Sequence, residues 1–206
     1  MVKKTIRGAI AAVLLICTGF AGEVSANVSA AFMPLGGMTS QPIGHYQFCQ
    51  ERPAECQVIS DDTAPAMLTE ALWRQLQEVN NLVNAAIIPV TDLELFGEPE
   101  VWFYPSTRGD CEDYVLLKRR ILVDQGWRES DLLITVVRRQ DGEGHAVLTV
   151  RTDRGDFVLD NLQAEIRLWS DTDYVFIKRQ SDRNTGRWVS IEDGRGVPPL
   201  MVGGNP

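Results

Sequence analysis

Histidine is the scarcest chemically versatile residue in this 206-residue chain, which contains only His45 and His145. Positive charge is also short, with 20 Lys and Arg against 28 Asp and Glu and a formal net charge of −8. That deficit argues against a nucleic-acid partner, whose phosphates need a basic patch to neutralise them. No Gly-rich phosphate loop, zinc-ligand spacing or dinucleotide fingerprint occurs, and no internal repeat is visible. The longest apolar run, Ala9 to Phe20, is about a dozen residues and too short to cross a roughly 30 Å hydrocarbon core as a helix. A chain of this length forms one ordinary domain plus a little extra.

What is present begins with a three-part N-terminus. Lys3, Lys4 and Arg7 precede the apolar run, and Val24-Ser25-Ala26 then offers small residues before Asn27. This is the grammar of a secretory signal peptide over residues 1–26, cleaved near Ala26, and it implies a periplasmic or secreted protein. Acylation of Cys17 is disfavoured by the bulky Ile16 before it. Without those 26 residues, 17 basic side chains face 27 acidic ones.

Export places the cysteines in an oxidising compartment. Cys49 and Cys56 in "FCQERPAEC" suit a local disulfide, with two buried reduced thiols as the alternative. Cys111 is then left over. An unpaired thiol in a secreted chain calls for an intermolecular bridge or a reactive role.

Residues 27–64 show no sustained periodicity and read as a loop-like lead held against the body. Residues 65–193 form the main domain, and the Gly- and Pro-rich stretch 194–206 reads as a tail. Apolar residues from Met67 to Leu82 recur at three- and four-residue steps, which predicts a helix over 66–87. Residues 92–107 read as an aromatic-containing link. A second helix is expected to start at Asp110 or Cys111 and to stop at Gly126. After Trp127 the period shortens to that of strands, in "DLLITVVRR", "HAVLTVRT" and "DFVLDNL", with two more around 174–178 and 187–191. Helices followed by an antiparallel meander give an α+β fold class.

The sequence "RGDCEDYVLLKRR" delivers Cys111 to the first turn of its helix. Free N–H groups and the helix dipole there favour the thiolate. Asp110, Glu112 and Asp113 oppose it with like charge, so an imidazolium partner or a bound cation is needed to relieve the repulsion. A resting Cys111–His145 ion pair would serve. His145 opens a strand directly after a turn, where it can face a cleft, whereas His45 lies in the lead and reads as structural. Pairing Val150 with Gly155 across a hairpin turning at Thr152–Arg154 also pairs Leu148 with Phe157 and Ala146 with Leu159. That register sets His145 opposite Asp160 on the other face, within reach of a hydrogen bond. Asn161 adjoins the pair. Lys118–Arg120 read as the solvated face of the Cys111 helix, and the five tryptophans as core or cleft-wall residues.

The blocks "GDCEDYVLLKRRIL", "GHAVLTV", "DFVLDNL", "FIKRQS" and "RWVSI", spanning with "FCQERPAEC" roughly 48–191, closely resemble the bacterial transglutaminase-like cysteine peptidases. The resemblance implies a papain-like α+β fold, with Cys111 as nucleophile, His145 as general base and Asp160 as its orienting carboxylate. It also implies calcium, held by Asp110 and Glu112 with Asp113 as an addition, where the bare alternative is an acidic helix start stabilised by its dipole. The implied reaction is peptide hydrolysis through a thioester. Its oxyanion would be held by the Cys111 N–H and a second donor, for which Trp102, Arg108 and Asn161 are candidates. The periplasmic members imply a protein substrate, specifically a large surface adhesin, and control by an inner-membrane regulatory receptor. Acyl transfer of the transglutaminase type and a catalytically silent binding module are the alternatives.

Overall fold

In the computed structural model, the described residues are Met1, 31–59 and 63–195. The expected signal peptide and its cleavage point, and the tail beyond residue 195, lie outside them. Among the described residues four α-helices and nine strands follow one another, beginning with β1 (Leu35–Thr39), α1 (Ile43–Glu51), α2 (Glu70–Ala86), β2 (Ile88–Pro89), α3 (Asp92–Phe96), β3 (Arg108–Gly109) and α4 (Cys111–Asp124). The strands β4 (Leu132–Arg138), β5 (Gly144–Thr152), β6 (Gly155–Leu159), β7 (Arg167–Leu168), β8 (Val175–Gln180) and β9 (Trp188–Ile191) follow.

One antiparallel sheet in the order β1-β9-β8-β4-β5-β6-β7 carries the molecule, and β2 and β3 form a small parallel pair beside it. The expected meander of β4, β5 and β6 is present, and β7 extends it. After β7 the chain passes a short turn at Trp169–Asp171 and crosses back to place β8 on the free edge of β4. The lead is not a loop, because β1 pairs with β9 and α1 carries Phe48 and His45 into the core. The link likewise contains α3, started by a capping box in which Thr91 and Glu94 satisfy each other's backbone N–H groups.

Burial explains why these elements assemble as they do. Leu76, Val79 and Val83 of α2 meet Val115 and Leu122 of α4, and together they cover Ile134, Leu148 and Leu159 on one sheet face. Val137, Val147, Val158, Phe176 and Ile191 form a second cluster with Met33 and Trp169. Thr69 caps α2 by accepting from Leu72 N–H. Lys118–Arg120 depart from the solvated face expected of them, since only Arg120 is exposed. Arg119 is drawn inside by Glu129 at 2.7 Å and the Leu132 carbonyl at 3.1 Å. Lys118 is 0% exposed.

The hairpin between β5 and β6 pairs Leu148 with Leu159, Val150 with Phe157 and Thr152 with Gly155. This is two residues away from the expected register, because the turn is tighter and holds only Asp153 and Arg154 between paired residues. The Thr152 hydroxyl donates to the Gly155 carbonyl at 2.8 Å and accepts from Arg154 N–H at 3.1 Å. Gly155 sits at φ +131°, and a Cβ there would meet the Ala31 carbonyl at 2.7 Å, so glycine is required. A slip of two preserves the alternation of side chains. His145 and Asp160 therefore still share a face, now as diagonal neighbours rather than directly opposed.

Candidate active site

Asp110 occupies the N-cap of α4 and Cys111 its first turn, as the sequence predicts. Gly109 makes the approach possible, since a Cβ there would lie 2.5 Å from Asp113 Oδ2. The Asp113 carboxylate accepts from Asp110 N–H at 3.2 Å and from Phe103 N–H at 3.0 Å, which ties the incoming strand to the helix start. Across from it, β5 brings Ala146 N–H to 3.4 Å from Cys111 Sγ.

His145 and Asp160 are both buried, with His145 Nε2 2.8 Å from Asp160 Oδ1. Use of Nε2 for the carboxylate leaves Nδ1 as the other ring position. Asp160 is held from several elements. Tyr174 donates its hydroxyl to Oδ2 at 2.5 Å, Leu162 N–H donates to Oδ1 at 2.9 Å, and Asn84 of α2 donates to the backbone carbonyl at 2.8 Å. Burial alone would raise the pKa of this carboxyl. The hydrogen bond and charge of His145, with the Tyr174 and Leu162 donors, outweigh it and hold the carboxyl below its ordinary value. Lys118 is buried in α4 with no hydrogen-bond partner for its amine among the described residues. Burial lowers its pKa to about 7, against an opposing pull from Asp160.

Cys111, Gly144 and His145 are common to two adjoining clefts. One, of about 460 Å³, is lined also by Ile43, Trp102, Val136 and Lys178. The other, of about 340 Å³, is lined by Pro89, Val90, Arg139, Asn161 and Leu162. Trp102 and Asn161, two of the candidate second donors, thus stand on opposite wings, while Arg108 is exposed in β3 and lines neither. Trp102 is seated on His45, which is buried at 5.1 Å between ring centroids and lies beside the Cys49–Cys56 disulfide. Burial and the Arg119 charge lower the His45 pKa to about 3, which suits a structural, uncharged ring.

The expected resting ion pair is replaced by a different contact. The Cys111 thiol donates to Glu112 Oε2 at 3.1 Å, and no hydrogen bond joins it to His145 among the described residues. Burial raises the thiol pKa well above its ordinary value, and the Glu112 charge and hydrogen bond raise it further, against the weaker pull of Ala146 N–H. The helix-start effect on the thiolate is overridden by burial beside unneutralised carboxylates.

Those carboxylates form a cluster that the sequence reading captured in part. Ligand oxygens of Asp92, Asp110 and Asp113 lie within 4.8 Å of one another. Asp92, at the first position of α3, is distant in sequence and was missed. Its only signal was a Thr-Asp-x-Glu helix start in a stretch read as link. Burial pushes Asp92 up to about 6 and Asp113 to about 8, and it raises Asp110 as well. Glu112 is pushed to about 9 by burial and by the Asp110 charge. Asp92 Oδ1 and Asp110 Oδ1 are buried without a hydrogen-bond partner. Orphaned hard oxygens in a group of unneutralised carboxylates are the donor set that a calcium ion takes, so these residues fit that ion.

Residues 35–196 match the family of bacterial transglutaminase-like cysteine proteinases, and the chain belongs to it. The protein is therefore a cysteine peptidase by family, with a transglutaminase-like fold. Calcium-bound LapG of Legionella pneumophila is a similar solved structure, with a TM-score of 0.50 and 24% identity, covering 64% of this chain and 75% of that one. A second structure of Legionella pneumophila LapG gives a TM-score of 0.49 at 26% identity, over 57% of this chain and 68% of that one. The EGTA-treated form gives 0.49 at 23% identity, over 61% and 69%. No curated protein matches significantly.

Proposed function

We propose that the protein is an exported, calcium-dependent endopeptidase that cleaves a periplasmic or cell-surface protein, with a surface adhesin as the substrate class and an inner-membrane receptor as regulator. The observation that carries this reading is that Cys111 and His145 both line two adjoining clefts, with His145 hydrogen-bonded behind them to the buried Asp160. An extended peptide lying through both wings would pass its carbonyl over Sγ. His145 takes the thiol proton and later gives it to the leaving amine, while Asp160 fixes the ring with Nε2 engaged and Nδ1 free. The acyl group passes to Cys111 as a thioester, and water then releases it, returning the thiol. The Cys111 N–H at the helix start donates to the oxyanion.

Asp92, Asp110 and Asp113 would hold calcium, with Glu112 beside them, and the similarity to a calcium-bound LapG supports that assignment. Calcium bound there would supply positive charge beside the nucleophile. Glu112 would then be free to release the thiol, which in turn removes the obstacle to thiolate formation.

The test is to incubate the mature protein with cell-envelope protein extracts and map new termini by mass spectrometry, with Cys111→Ala as control. New N-termini that depend on Cys111 and on calcium are expected. Cys111-dependent amide cross-links without new termini would assign acyl transfer instead, and neither product would assign a binding module.

A further inference from the structure

The cross-back that puts β8 on the edge of β4 has a chemical consequence at its first turn. Tyr174, immediately before β8, is carried over His145 to reach the far oxygen of Asp160. Its ring lies 5.6 Å from the imidazole, tilted by 55°, so it covers the ring while its hydroxyl donates. The two oxygens of Asp160 are thereby divided. Oδ1 serves His145 and Leu162 N–H, and Oδ2 serves Tyr174 at 2.5 Å. A carboxylate with one oxygen tied can no longer rotate to offer the other to the imidazole, and a charge-assisted bond to an ionised acceptor is the stronger kind.

We infer that Tyr174 is a positioning residue for the peptidase reaction: its hydroxyl locks Asp160, and through Asp160 it fixes His145 in the tautomer that leaves Nδ1 for the nucleophile. The inference rests on the proposed peptidase reading, with Tyr174 acting only through Asp160. Replacement by phenylalanine keeps the ring cover and removes the donor.

The scarcity of histidine makes the test direct. In ¹⁵N-histidine-labelled protein in chelator, where Cys111 keeps its proton, only His45 and His145 give signals, and a His145→Ala sample assigns them. Native His145 is expected as a single tautomer protonated at Nε2, with a far-downfield Nε2–H resonance that exchanges slowly with water. In Tyr174→Phe both tautomers should appear and Nε2–H exchange should quicken at least tenfold, and with calcium added Cys111 alkylation by iodoacetamide at pH 7 should slow about tenfold. An unchanged tautomer and exchange rate would overturn the inference. Should that variant fail to fold, 3-fluorotyrosine at position 174 is a stronger donor of the same shape, and an Nε2–H resonance that does not move would overturn the inference equally. Alkylation in the native protein that is indifferent to His145→Ala would instead sink the peptidase reading, a failure that the tautomer measurement keeps separate.

Discussion

Carboxylates stand on both sides of Cys111 and His145, and the two sides are held in opposite ways. Asp160 is surrounded by donors, from His145, Tyr174 and Leu162, and its charge is held in place with its pKa below the ordinary value. Asp92, Asp110 and Asp113 crowd within 4.8 Å of one another, with Glu112 next to Asp113 in sequence, each keeps fewer donors than Asp160, and all four are pushed up. Burial is common to both groups, so burial does not decide the outcome. The count and sign of neighbours do. One carboxylate is finished by the protein, whereas the cluster keeps two buried oxygens, Asp92 Oδ1 and Asp110 Oδ1, without a donor.

That contrast can be broken first at the orienting pair. Cys111→Ala is expected to abolish the appearance of new termini, and Asp160→Asn to lower the rate by about 10⁴-fold, the order seen when an amide replaces the orienting carboxylate and leaves the imidazole in the wrong tautomer in such triads. Turnover on a cleaved envelope protein is the readout, and a loss below tenfold in Asp160→Asn would show that His145 needs no orientation from it.

The next effect separates the groups by pH. A carboxyl lowered in the fold, as Asp160 is, adds stability above its unfolded value of about 3.9 and loses it as pH falls through the lower folded value. Carboxyls raised in the fold add stability below about 4 and lose it as pH rises through about 6 to 9. In chelator the melting temperature should therefore fall between pH 5 and 9. Calcium at a hundred times its Kd adds about 2.7 kcal/mol and should flatten that slope. Calorimetry with and without chelator measures it.

Amide substitutions should then have opposite signs. At pH 8 in chelator, Asp92→Asn removes a like charge and should raise the melting temperature by about 2–4 °C, the shift made by each kcal/mol of repulsion relieved in a chain of this size. Asp160→Asn should lower the same midpoint, and Asp92→Asn should weaken calcium binding. The smallest effect falls outside both groups. Thr69→Ala, which removes the cap of α2, should cost about 1 kcal/mol in thermal unfolding and leave Cys111 reactivity unchanged.

The sequence made the finished group more legible than the unfinished one. Side-chain alternation in "HAVLTV" and "DFVLD" puts His145 and Asp160 on one face under either register, which is why an error of two in the pairing left their meeting intact. Cys111 and Asp110 stand at a helix start that the local sequence specifies. Asp92 joins the cluster through a tertiary approach of α3 to α4 that no local period encodes. Lys118 and Arg119 were misplaced because a charge run in a helix says nothing of the Glu129 carboxylate and Leu132 carbonyl that draw Arg119 inward. Tyr174 owes its contact to the cross-back of β8, which a simple meander does not contain.

The central claim is that His145 activates Cys111 once the acidic cluster is neutralised. Its most direct test is the rate of Cys111 alkylation by iodoacetamide against pH, in the native protein and in His145→Ala, each with calcium and with chelator. The account predicts a thiolate titrating well below the free-cysteine value of about 8.5 only in native protein with calcium. A thiol that titrates at or above that value in all four samples would contradict it.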